Sequence, residues 1–116
     1  DARMGEVYWA QYRYQEDWQI VVEPTLSAPA QVVPLGKVTA CGNGLQAYAE
    51  AFRDCDFTLN AWPTLMPHAN QVATLGARLF AKGIYVDAAR AEPLYLRNKV
   101  ALTTRERQEK AERAAA

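Results

Sequence analysis

At 116 residues the chain is long enough for one domain whose core needs no disulfide or metal staple. Its 13 basic residues balance 13 acidic ones, so it lacks the positive excess of a dedicated nucleic-acid surface, while a local basic patch stays compatible with that balance. No apolar run approaches the ~20 residues of a membrane span, and no stretch has the layout of a signal peptide.

The chain opens with Asp1-Ala2-Arg3-Met4-Gly5-Glu6, a charged turn in which Gly5 lets the backbone reverse tightly. It runs into an apolar and aromatic strand that continues to about Tyr14. Alternation puts Val7 and Trp9 on one face and Tyr8, Ala10, Tyr12 and Tyr14 on the other. Such a strand, apolar on both faces, is expected to be covered on each side. After the polar turn Gln15-Glu16-Asp17, alternation resumes with Trp18, Ile20 and Val22, predicting an antiparallel hairpin over 5–22 that ends before Glu23-Pro24. Ser27 followed by Ala28-Pro29 predicts a short helix start, closed by Pro34 and Gly36.

Lys37 to Cys41 reads as a third strand. Gly42-Asn43-Gly44 follows, and Leu45, Tyr48, Ala49 and Phe52 form the apolar stripe of a helix. A strand, a glycine turn and a helix N-terminus can together hold an anion, which makes Gly42, Asn43 and Gly44 weak candidates for a phosphate or nucleotide contact. The plainer reading is a tight strand-to-helix turn. No lysine follows it as in a P-loop, and half of a dinucleotide fingerprint is missing.

Phe57 to Trp62 reads as a brief strand before an irregular connection bracketed by Pro63 and Pro67. The strongest helix runs from Pro67 to about Lys82, with Gly83 as its stop. Val72, Leu75, Gly76, Leu79 and Phe80 are its expected buried stripe. Gln71, Thr74, Arg78 and Lys82 are expected to face water. Glu92-Pro93 then forces extended backbone, with Leu94 and Leu96 on one side and Tyr95 and Arg97 on the other. From Thr103 the chain turns charged. Glu106 with Lys110 and Glu109 with Arg113 are i,i+4 pairs, but with no apolar face the segment is expected to be a frayed helix or disordered. The division is thus a single α/β domain over 1–102 and a tail over 103–116.

Catalysis finds little material. His68 is the sole histidine, and Cys41 and Cys55 lack both C-x-x-C spacing and a histidine pair, so no metal site and no nucleophile–base arrangement can be assembled. The two cysteines read as buried or incidental thiols, in keeping with a reducing compartment. Glu92 near Arg90 and Arg97 reads as an ion-pair partner rather than an acid–base group. The aromatic residues Tyr8, Trp9, Tyr12 and Trp18 could stack bases, but basic residues are not grouped around them, and packing is the better reading.

Two blocks carry a resemblance: Asp-Ala-Arg-Met-Gly-Glu-Val-Tyr-Trp at 1–9 and Ala-Glu-Pro-Leu-Tyr-Leu-Arg-Asn at 91–98. In that order they are similar to the opening and closing segments of the C-terminal lobe of the bacterial TsaB family, with the middle matching only loosely. The resemblance implies the second lobe of an actin-like ATPase (ribonuclease H-like) fold, with a small mixed sheet that starts with an antiparallel hairpin and is packed by helices. Together with the lack of an initiator methionine, it implies a piece whose N-terminal lobe is absent. It implies the non-catalytic, glycoprotease-like partner, also catalogued as a chaperone, of the cytoplasmic system that makes threonylcarbamoyladenosine in tRNA. The expected partners are a TsaD-type catalytic subunit, a TsaE-type ATPase and a second copy in a homodimer, with tRNA met only indirectly and no membrane. No cofactor is expected in this piece. The paired-histidine metal motif of the catalytic relatives is missing here. A nucleotide-binding or hydrolase domain using the Gly42–Gly44 turn is the alternative. Pro93 lets 94–97 run extended beside the sheet, so Tyr95 and Arg97 are expected to reach the turn holding Asp1, Arg3 and Glu6, at the junction between lobes.

Overall fold

The computed structural model describes residues 1–97 and 104–115. Strands β1 (Val7–Gln15) and β2 (Asp17–Ser27) form an antiparallel hairpin. Among the described residues three helices follow: α1 (Gly44–Ala47), α2 (Ala69–Ala81) and α3 (Thr104–Ala115). Short 3-10 turns lie at Pro29–Gln31, Asp56–Thr58 and Ala88–Arg90. This is a small α/β arrangement that starts with a hairpin. Among the described residues its sheet has two strands, and its one parallel element is the isolated bridge between Cys41 and Trp62.

The hairpin closes on a single residue, Glu16, held at φ 62° between the paired Gln15 and Asp17. With no glycine available, a glutamate takes the left-handed conformation, and the Asp17 carboxylate accepts the Trp18 N–H at 2.9 Å to cap the start of β2. β2 also runs further than expected. Pro24 lies inside it, opposite the break in register between Trp9 and Gln11, where a ladder donor is not required. A second register shift between Gln11 and Tyr12 pairs Gln11 with Val22 and Tyr12 with Ile20. Adjacent residues of β1 point to opposite faces, so Val22 leaves the face of Ile20 and Trp18.

Ser27 does not cap a helix. Its hydroxyl accepts the Trp9 indole N–H at 3.0 Å, and the Gln31 side chain accepts the Ala28 N–H at 3.3 Å to organise the 3-10 turn instead. The expected third strand at Lys37–Cys41 is reduced to two hydrogen bonds, Trp62 N–H to Ala40 O at 2.9 Å and Gly42 N–H to Trp62 O at 3.1 Å. The segment 57–62 likewise begins as a 3-10 turn rather than a strand. Past Ala47, bonds of the i to i−3 kind, such as Phe52 N–H to Ala49 O at 3.3 Å, replace the α-helix.

α2 ends as its sequence requires. Gly83 at φ 75° donates to Phe80 O at 2.9 Å, and Ile84 donates to Leu79 O at 2.9 Å, the paired bonds of a Schellman stop. Its apolar stripe is not buried: Val72, Leu75, Leu79 and Phe80 are all exposed, and nothing comes within 4 Å of where a Cβ on Gly76 would sit. Periodicity shows that a helix is amphipathic; it does not supply the surface that covers it. At the C-terminal end of α2, Lys82 forms an ion pair with Asp17 at the hairpin tip, a contact that periodicity had assigned to water.

Among the described residues, burial is confined to Ala2, Val7 and Phe52. Phe52 meets Phe57 edge-on, with ring centroids 5.7 Å apart. In the tail, Arg105 pairs with Glu109 at 2.9 Å. The expected Glu106–Lys110 pair lies outside the described residues.

Candidate functional site

The N-terminal turn is a miniature hairpin. Glu6 N–H donates to Arg3 O at 3.1 Å and Ala2 N–H to Glu6 O at 3.0 Å. The two central residues, Met4 at φ 58° and Gly5 at φ 79°, have the positive φ pair of a type I′ turn, and Arg3 at φ 63° extends the left-handed run. Glycine adopts this conformation freely. Arg3 and Met4 do so at a cost of about 1–2 kcal/mol each, so something must hold them there.

Arg97 does so. Its guanidinium donates from Nη1 to Ala2 O at 2.9 Å, and from Nη2 to Arg3 O at 3.3 Å and Glu6 Oε2 at 2.6 Å. Met4 Sδ lies 3.6 Å from Nη1, and the Tyr8 ring centroid is 5.9 Å from the guanidinium carbon. The Arg97 side chain is 13% exposed, which removes much of the solvent screening that weakens surface pairs. One side chain thus satisfies the Ala2 carbonyl, adds a second donor to the Arg3 carbonyl that closes the turn, and neutralises the carboxylate beside them. It acts across 91 residues of sequence.

Asp1 belongs to a second, adjoining network. Its carboxylate accepts the Arg3 N–H at 2.8 Å and the Tyr48 hydroxyl at 3.1 Å, and pairs with the Arg3 guanidinium at 3.1 Å. Its backbone nitrogen donates to Asn43 Oδ1 at 2.8 Å. Arg97 therefore meets Glu6, as the extended backbone after Pro93 predicts, whereas Asp1 takes Arg3, Asn43 and Tyr48. Tyr95 is 73% exposed, and no described hydrogen bond joins it to the cluster. Tyr8 stands over the guanidinium instead. Periodicity could have found Tyr8, two residues beyond Glu6 on the same face of the chain.

The glycine turn lies against this cluster. A Cβ on Gly44 would come 3.3 Å from Val7 Cγ1 and 3.4 Å from the Asp1 nitrogen, so the missing side chain is what admits the buried Val7. Gly42 at φ 110° turns the chain after the bridge to Trp62. Gly42, Asn43 and Gly44 thus have a packing role, and the helix they open has only four residues. Cys41 and Cys55 are free thiols, and among the described residues no three metal-ligating side chains gather.

No protein-family model matches the sequence. The chain is 33% identical over 108 residues to the tRNA threonylcarbamoyladenosine biosynthesis protein TsaB of Escherichia coli K12, a match that covers 87% of this chain and 47% of that protein. It is TsaB-type sequence over the matched span. Among solved structures, YeaZ from Pseudomonas aeruginosa superposes with a TM-score of 0.70 at 31% identity, over 82% of this chain and 46% of that one. A second Pseudomonas aeruginosa structure, of a protein with similarity to the peptidase YeaZ, gives 0.68 at 34%, over 84% and 46%. YeaZ is another name for TsaB, and its actin-like, ribonuclease H-like fold is the one the resemblance implies. The chain spans about half the length of each of these relatives. In this TsaB-type chain the turn at 1–6 and the segment around Arg97, the two blocks that carry the family likeness, are brought into contact by one guanidinium.

Proposed function

We propose that the chain serves tRNA threonylcarbamoyladenosine biosynthesis as a non-catalytic scaffold. In this reading it is part of a TsaB-type protein that supports a TsaD-type catalytic subunit and a TsaE-type ATPase in the cytoplasm, touching tRNA only through them. The observation that carries the reading is the 33% identity to TsaB over 108 residues. The cluster of Arg97, Glu6 and the turn at Arg3 and Met4 supports a structural role, since the guanidinium is spent on two carbonyls and a carboxylate of the same chain. Its job in the proposal is to fix the segments at the junction with the rest of a TsaB-type protein, and so to shape the surface a partner subunit meets.

The test is reconstitution. The chain, joined to the portion of the Escherichia coli relative that lies outside the match, should replace TsaB in a threonylcarbamoyl-transfer reaction that contains the other subunits. It should also be retained by an immobilised TsaD-type subunit. Product formed without the TsaD-type subunit, or saturable ATP binding by the chain itself, would contradict the scaffold reading.

A further inference from the structure

The two register shifts in the hairpin both place their extra residue on β2, so β1 keeps a regular alternation. One face of the hairpin consequently gathers Tyr8, Tyr12 and Tyr14 from β1 with Ile20 and Trp18 from β2, through the pairs Tyr12–Ile20 and Tyr14–Trp18. Tyr14 and Trp18 already meet edge-on at 5.2 Å. All five residues are between 48% and 57% exposed, with Arg97 standing beside the Tyr8 ring at one end of the face. A large aromatic side chain offers about 150–250 Å², so the half-exposed face presents on the order of 500 Å² of mostly apolar surface. That is at the upper end of what a monomer leaves open without a use for it, and a two-stranded sheet is at best marginally stable without cover.

We propose that this face is the seat of the portion of a TsaB-type chain that lies outside the matched residues. The relatives carry as many residues again as the match covers, since it spans 46–47% of each. The area selects among occupants. Separate chains that associate stably bury about 800 Å² per partner, more than this face offers. Units tethered in one polypeptide hold together over about 600–1,500 Å² in total, which a face of this size supplies. Tethering raises the effective concentration of the occupant to roughly millimolar, so a modest apolar face suffices. A covalently attached segment therefore fits better than a second copy. This inference rests on the match in sequence and fold and not on the scaffold reading.

The experiment measures thiol labelling in a Cys41→Ser, Cys55→Ser background. Tyr12→Cys and Ile20→Cys report the apolar face, and Arg13→Cys reports the opposite one. Each is compared in the 116-residue chain and in a chimera joined to the unmatched portion of the Escherichia coli relative. Labelling at positions 12 and 20 should slow at least tenfold in the chimera and stay unchanged at 13. Equal rates at 12 and 20 in a cooperatively folding chimera would overturn the proposal. So would protection in the 116-residue chain that grows with concentration and accompanies a dimer mass in light scattering, because a second copy would then be the occupant. Should the chimera not fold, residues 5–27 grafted in place of the matching hairpin of the Pseudomonas aeruginosa relative decide the question, with protection at 12 and 20 supporting the proposal and free labelling ending it.

Discussion

The N-terminal turn and the hairpin it leads into are joined at Val7 yet are held together by opposite means. In the turn, two left-handed non-glycine residues, a carboxylate and two carbonyls are gathered by Arg97, which is only 13% exposed. In the hairpin, backbone pairing is extensive while Tyr12, Tyr14, Trp18 and Ile20 stand open. The difference shows which contacts the chain closes by itself. Directional polar bonds between its two ends are satisfied internally. Its large apolar faces, on the hairpin and on α2, stay exposed.

The sharpest way to break that contrast is to remove the guanidinium. Arg97→Ala should cost about 2–3 kcal/mol in urea unfolding, because it strands the Glu6 carboxylate and the Ala2 carbonyl together and removes the second donor from Arg3 O. Arg97→Lys should recover less than half, since a point charge cannot serve two carbonyls and a carboxylate at once. Next comes the floor of the cluster. Gly44→Ala should lose about 1–2 kcal/mol by pressing a Cβ against Val7, and the loss should shrink when paired with Val7→Ala.

The turn itself offers a change of opposite sign. Met4→Asn should gain about 0.5 kcal/mol, because Asn-Gly is the preferred centre of a type I′ turn. A loss in the same thermal-unfolding comparison would show that the Met4 sulfur beside Arg97 matters more than the backbone. On the open face, Ile20→Ser should change the stability of the 116-residue chain by less than about 0.5 kcal/mol. A loss above 2 kcal/mol would mean that the side chain is covered.

The smallest effect is the pH response of the tie between the hairpin tip and α2. The Lys82 hydrogen bond, then the Trp18 N–H and the Lys82 charge, hold the Asp17 carboxyl below its ordinary 3.8. A carboxyl whose folded pKa is depressed adds stability above its unfolded pKa and loses it as pH falls through the folded value. Asp17→Asn should therefore match the parent at low pH and be slightly weaker above pH ~4, measured by urea midpoints between pH 2 and 6.

Much of this was readable in the residues. Alternation from Val7 to Tyr14 and from Trp18 onward announces the hairpin, Gly83 marks the stop of α2, and the two blocks of family likeness hold the opposite charges, Glu6 and Arg97, that meet. Other features depend on what lies across space. Pro24 sits within β2 because a register break faces it, and no local pattern shows where a bulge falls. The apolar stripes of α2 and the hairpin give amphipathicity without naming a neighbour, so their burial was not legible. The strand expected at 37–41 shrank to a bridge because, among the described residues, Trp62 alone pairs with it. Within the cluster, charge and backbone direction identify Arg97 and Glu6. Tyr8 takes the place expected of Tyr95 because the strand that follows the turn brings its ring over the guanidinium.

The most direct test of the account is a double-mutant cycle on Arg97→Ala and Glu6→Gln, with unfolding free energies from urea titration near neutral pH. If one partly buried guanidinium ties the two ends of the chain, the two substitutions should couple by about 1–2 kcal/mol, the double variant losing less than the sum of the singles. Strict additivity, within about 0.3 kcal/mol, would contradict it.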